Sequence, residues 1–362
     1  MLTRTSAHAV AFAPEDNTPS DDLAEREDRA EAAVDPRRLA GQLKPFGAAD
    51  WRRSLFELVV TLVPFFALAG LMLVAVEAGY LFALVLALPV GLFLLRLFLI
   101  QHDCGHGSFF RKRKTNDWVG RALGTLTFTP YDCWRRSHAL HHAGTGNLDG
   151  RGFGDVDTLT VAEYDARSRW GRMGYRAYRH PLVLFGIGPA YLFLLRHRLP
   201  IGLMKAGWIY WASALATNLV TAAMLAALGF RFGFDVVALS LLPALLIAAS
   251  IGVWLFYIQH QFEESHWDYS ADWSFHDAAL KGSSHLDLPP VLRWFTANIG
   301  IHHVHHLASR IPFYRLPDVL KAHPGLSDIN RFSIRDTLPV VRLALWDEPT
   351  RRLVPFDHRA RA

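Results

Sequence analysis

Asn298-Ile-Gly-Ile-His-His-Val-His-His306 places four imidazoles within five residues, and three of them repeat an H-x-x-H-H spacing already present at His138, His141 and His142. On a helix, His302, His305 and His306 stand at i, i+3 and i+4 and project from one face. His303 points elsewhere. The same reasoning groups His138, His141 and His142, and it pairs His102 with His106 at i, i+4 in His-Asp-Cys-Gly-His. Random placement of 18 histidines among 362 residues gives about 0.04 copies of H-x-x-H-H, so two copies are not a coincidence of composition.

The rest of the chain says where such clusters sit. Hydrophobic residues make up 51% of it and the mean hydropathy is positive, which favours one integral-membrane domain over two soluble ones. Two Cys, at 104 and 133, form neither a disulfide framework nor a zinc-finger pattern. Residues 1–50 carry ten acids against six Arg and Lys, a balance of −4, so with a net charge of +5 the body carries +9. Those cations flank apolar segments, as contact with anionic headgroups requires; they do not form the basic module of a nucleic-acid binder.

Residues 1–45 mix Ala, Asp, Glu, Arg and Pro without an apolar period and read as a disordered cytoplasmic tail. Residues 55–76 and 81–100 are each long enough to span, as are 208–230 and 236–258, with Pro243 placed to kink the last. The apolar run at 181–195 is short for a span and suits an interfacial helix. The stretch 118–134 reads as partly embedded, and 144–179 as soluble. Arg52 and Arg53 precede the first span and Arg111, Lys112, Arg113 and Lys114 follow the second, whereas the connection between them has no Lys or Arg. The positive-inside rule puts that connection outside and both far ends in the cytoplasm. With four spans, His102, His106, His260 and the other two boxes all arrive on one side. The domain is drawn at 46–345, with a tail at 346–362.

Neutral imidazole suits iron, zinc, copper or nickel, and eight or nine His exceed what one ion coordinates, so a pair of metals is implied. The H-E-x-x-H of zinc proteases is absent. Three stretches carry a resemblance: His102-Asp-Cys-Gly-His106; Arg135-Arg-Ser-His-Ala-Leu-His-His142 with Thr145-Gly-Asn147 behind it; and Asn298 to His306 followed by Arg310-Ile-Pro312. In their order and spacing they resemble the integral-membrane fatty acid desaturases, specifically the acyl-lipid omega-6 and omega-3 branch of bacteria and plants.

That resemblance implies an all-α membrane protein: four transmembrane helices, interfacial helices and a cytoplasmic His-rich di-metal cap, in a bacterial inner membrane with both termini cytoplasmic. It implies two iron ions, O2 as co-substrate, a fatty acyl lipid substrate desaturated near Δ12, and an external electron donor such as ferredoxin. It also implies a ligand split: His102, His106, His138, His142 and His306 on one iron, and His141, His260, His302 and His305 on the other. Asn298 is expected to orient an imidazole or a bound water. His180, His197, His266, His276, His285, His323 and His358 lack clustered partners and read as surface or interfacial residues. A membrane hydroxylase of fatty acids, alkanes or carotenoids is the alternative within enzymes. A metal transporter fits less well, because transport ligands lie near the bilayer midplane.

Overall fold

The computed structural model describes residues 36–152 and 154–358. Among the described residues, four helices are long and apolar enough to cross a membrane: Trp51–Glu77, Leu81–His106, Trp208–Phe232 and Phe234–His260. At 25 to 27 residues each they rise about 1.5 Å per residue, roughly 40 Å, which exceeds the hydrocarbon core by a few turns. Their ends therefore protrude into the headgroup region, and there the polar residues begin. Asp50 caps the first by accepting from the Arg52 and Arg53 backbone N–H groups, and Pro243 lies within an unbroken fourth helix.

The second span is the central one, with 61% of its apolar window buried against 22 to 33% for the others. Its close approach to the fourth depends on Gly91, where a Cβ would stand 2.8 Å from the Ala244 carbonyl oxygen. Leu55, Phe56, Val59 and Val63 on the first span, and Leu215 and Leu219 on the third, remain exposed and form a lipid-facing surface. The charges inside the bundle are paired, as a low-dielectric medium demands. Arg96 bonds Glu57 of the first span at 2.5 Å, lies over the Trp294 ring at 4.0 Å and donates to the Trp294 carbonyl.

Spans join in pairs through short connections, and an ion pair of 2.8 Å between Glu77 and Arg231 holds the two connections together at one end. The histidine-bearing ends consequently meet at the other. Helices Arg113–Leu126 and Tyr131–Gly144 and the short helix His302–Leu307 close over them. The apolar run at 181–195 folds as short helical pieces, Val183–Ile187 and Gly188–Leu194, too short to cross.

Two small sheets lie in the cap. Leu159–Thr160 pairs in parallel with Leu343–Asp347, which pairs antiparallel with Arg352–Pro355; His285–Leu286 pairs with Arg331–Phe332. The limit expected at 345 falls inside strand Leu343–Asp347, and Trp346 and Leu353 beyond it are buried. Helix Pro36–Leu43 likewise buries Leu39 and Leu43 in the main core. The tail expected at 1–45 includes this helix, and residues 1–35 of it, like 359–362 of the tail expected at 346–362, lie outside those described.

Candidate metal centre

His102 and His106 occupy the last turn of the second span, which ends at Gly107 in the left-handed conformation, φ 73°. This C-cap lets the chain turn away and leaves both rings on one rigid face. Helix Tyr131–Gly144 brings His138, His141 and His142. It is positioned by Tyr131, whose hydroxyl lies 2.9 Å from both the Cys104 carbonyl oxygen and Asp117 Oδ1, with its one proton available to either acceptor. The Tyr131 ring packs closely against Gly120, where a Cβ would come within 2.2 Å of it. The third box follows two consecutive left-handed residues, Ala297 (φ 48°) and Asn298 (φ 52°), which swing the chain so that helix His302–Leu307 enters the cluster.

Nine imidazoles converge in two groups: His102, His106, His138, His142 and His305, and His141, His260, His302 and His306. Within each, one nitrogen from every ring lies within 4.8 Å of the others. The Nε2 to Nε2 distances are 3.3 Å for His102–His106, 3.0 Å for His106–His138, 3.0 Å for His138–His142 and 3.2 Å for His142–His305. His260 and His302 meet at 3.0 Å. Ligand nitrogens about 2.1 Å from a shared ion stand about 3.0 Å apart along an octahedral edge and about 3.4 Å along a tetrahedral one. The rings are therefore spaced as ligands of common ions.

The protonation states agree. Burial, followed by the neighbouring imidazoles, holds His138, His142, His302, His305 and His306 well below the usual histidine range, so these rings are neutral and keep a lone pair for a metal. In the second group the Nε2 atoms of His141 and His306 are buried without a hydrogen-bond partner. Leaving such a group unmatched costs about 1–3 kcal/mol, and an ion between the rings removes that cost. With only nitrogen donors, the sites suit a transition metal and not magnesium or calcium.

Several rings have their tautomer fixed from behind. His141 Nδ1 contacts Asp155, so its Nε2 is the free donor; His260 Nδ1 faces the Gly282 carbonyl at 3.2 Å. His102 Nδ1 lies 3.3 Å from Asp103 Oδ1, and the other Asp103 oxygen accepts the Phe313 N–H at 2.7 Å. Such partners orient metal-binding rings and raise their basicity. Asp155 has no periodic signal in the sequence and stands 14 residues beyond the ring it holds. The acid inside the first box, Asp103, was visible but without an assigned task.

The geometry groups two rings differently from the expected split. His305 belongs with the first group, its ring 4.6 Å from that of His102, and His306 with the second, 4.7 Å from that of His260. Adjacent residues on a helix point about 100° apart, so neighbouring rings diverge to opposite groups. Asn298 turns its amide to the Phe313 carbonyl at 3.0 Å, and so supports the turn that binds Asp103. His285, expected near the surface, is buried and meets the Ser327 carbonyl at 2.7 Å. His303 is buried too, facing the Leu326 carbonyl at 2.8 Å, and belongs to neither group. Cys104 is buried in the core and Cys133 donates to the Tyr210 carbonyl.

Residues 78–335 match the family described as "Fatty acid desaturase". The chain is 40% identical over 320 residues to a fatty acid desaturase of Bacillus subtilis, covering 88% of this chain and 90% of that protein. It is 31% identical over 257 residues to an sn-1 acyl-lipid omega-3 desaturase (ferredoxin) of Synechocystis, covering 66% of each. An sn-1 oleoyl-lipid 12-desaturase of the same organism is 27% identical, covering 67% of this chain and 70% of that one. Four apolar helices, a convergent histidine cluster and these relatives together place the chain in the fatty acid desaturase family, among its membrane-bound oxidoreductases.

Proposed function

We propose that this desaturase introduces a double bond near Δ12 into an acyl chain of a membrane lipid, using two iron ions and electrons from a ferredoxin-type carrier. The observation that carries this reading is the convergence of nine imidazoles into two groups at one end of the bundle. The donor named for the omega-3 relative supports the choice of carrier, and the oleoyl-lipid 12-desaturase supports the position. The site faces the cytoplasm of a bacterial inner membrane in this reading, because Arg52, Arg53 and Arg111 to Lys114 gather at its end of the spans.

Iron, when bound, supplies with O2 the oxidising power that an unactivated methylene requires. Per double bond the chain loses two hydrogens, and O2 takes these with two electrons and two protons from outside to give two waters. His102, His106, His138, His142 and His305 would hold one ion; His141, His260, His302 and His306 the other. Asp155 keeps His141 in the tautomer that presents Nε2. Aromatic rings stand next to the groups: Trp134 stacks on His138 at 4.6 Å, Phe98 meets Trp134 at 5.5 Å and Phe256 lies 4.9 Å from His141. These apolar walls exclude water and suit a hydrocarbon arriving from the bilayer. Expression in a bacterium without polyunsaturated lipids, with double bonds located by mass spectrometry, should give dienes with the new bond near C12. Alcohols that have gained oxygen would contradict desaturation.

A further inference from the structure

We propose that the surface over His106 and His138 is the docking face for a small acidic one-electron carrier. The proposal rests on the desaturase reading above and names where its electrons enter. The nine imidazoles are not equally enclosed. Six are between 1 and 6% exposed and His142 is 9% exposed, whereas His106 and His138 are half-buried. Both belong to the five-membered group, so that group alone has two rings reaching clearly toward solvent.

The rim of this opening is cationic, the wrong lining for an acyl chain and the right one for an acidic protein. Arg113 lies against Gly107, next to His106; a Cβ there would be 2.8 Å from its Nη1. Asp117 holds Arg113 at 3.1 Å and Arg135 at 2.9 Å, fixing two guanidinium groups at the edge of the two boxes. Arg111, Lys112 and Lys114 adjoin Arg113 in sequence and Arg136 adjoins Arg135, all four exposed. Arg136 shares the outer face of helix Tyr131–Gly144 with Ala139 and Ala143, both exposed, and these short side chains let a partner approach the helix that carries His138. Complementary charge at such a rim steers encounter and fixes orientation. Each carrier molecule brings one electron, so two dockings serve one double bond.

The test uses the full-length protein in nanodiscs of zwitterionic lipid, with reduced acidic ferredoxin as donor. The double variant Lys112→Glu, Arg136→Glu should raise the KM for ferredoxin about tenfold while kcat at saturation holds. Raising salt from about 50 to about 300 mM should raise the KM of the unaltered protein and erase most of the difference. Arg335→Glu, an exposed cation elsewhere, should leave the KM unchanged, and dithionite with methyl viologen should drive all variants equally. An unchanged ferredoxin KM in the double variant would overturn the proposal. So would an equal loss with the chemical reductant, which means damage to the centre, or a loss confined to binding of anionic vesicles, which means a headgroup anchor. Failure of every reductant to support turnover of the unaltered protein would overturn the desaturase reading itself.

Discussion

The two imidazole groups lie side by side, with His142 and His306 stacked between them at 4.0 Å, yet they are built differently. The first has five rings, two of them half-exposed, and draws four from two helix faces, His102 with His106 and His138 with His142. The second has four rings, all buried, drawn like the first from three helices, two of its rings coming from one face of helix His302–Leu307. Both groups have support from behind, Asp103 at His102 in the first and Asp155 and the Gly282 carbonyl at His141 and His260 in the second; what separates them is the number of rings and their exposure. An open group that loses one ring keeps four. A sealed one has no spare.

The largest expected effect comes from comparing ligand removal in the two groups. His260→Ala leaves three rings on the sealed ion, and iron content should fall to about one per chain with desaturation down at least 10–100-fold. His138→Ala leaves four on the open ion and should retain more iron and more activity. Equal losses would break the comparison. A smaller effect is expected when the support alone is changed. Asp155→Asn keeps an oxygen beside His141 but removes the charge, and should weaken the sealed ion about 10-fold, with added iron restoring turnover; unchanged iron affinity would show that burial alone orients the ring. The smallest effect belongs to His303, buried beside the centre but in neither group. His303→Ala should keep both irons and cost about 1–3 kcal/mol of stability, because the Leu326 carbonyl loses its partner; a melting shift without iron loss is the expected readout.

The four spans and three boxes were legible because their signals are local: a run of apolar residues, or imidazoles at i, i+3 and i+4 on one helix. His260 was within reach because it stands at the end of a span, at the same depth as His102. What was not legible depends on contacts far apart in sequence. The opposite destinations of His305 and His306 follow from what each ring meets across the fold, His102 on one side and His260 on the other. Asp155 is one acid among several in a polar loop until the chain folds back on His141. His285 looked like a lone polar residue, and only the segment bearing Ser327 buries it. The strand Leu343–Asp347 contains alternatives for helix, strand or tail, and its partners Leu159–Thr160 are more than 180 residues away.

Counting the metal tests the central claim most directly. Elemental analysis of pure, fully active protein, normalised to chain concentration, should find about two irons per chain, as two convergent groups of five and four imidazoles require. Full activity with a single iron per chain would contradict the two-group centre.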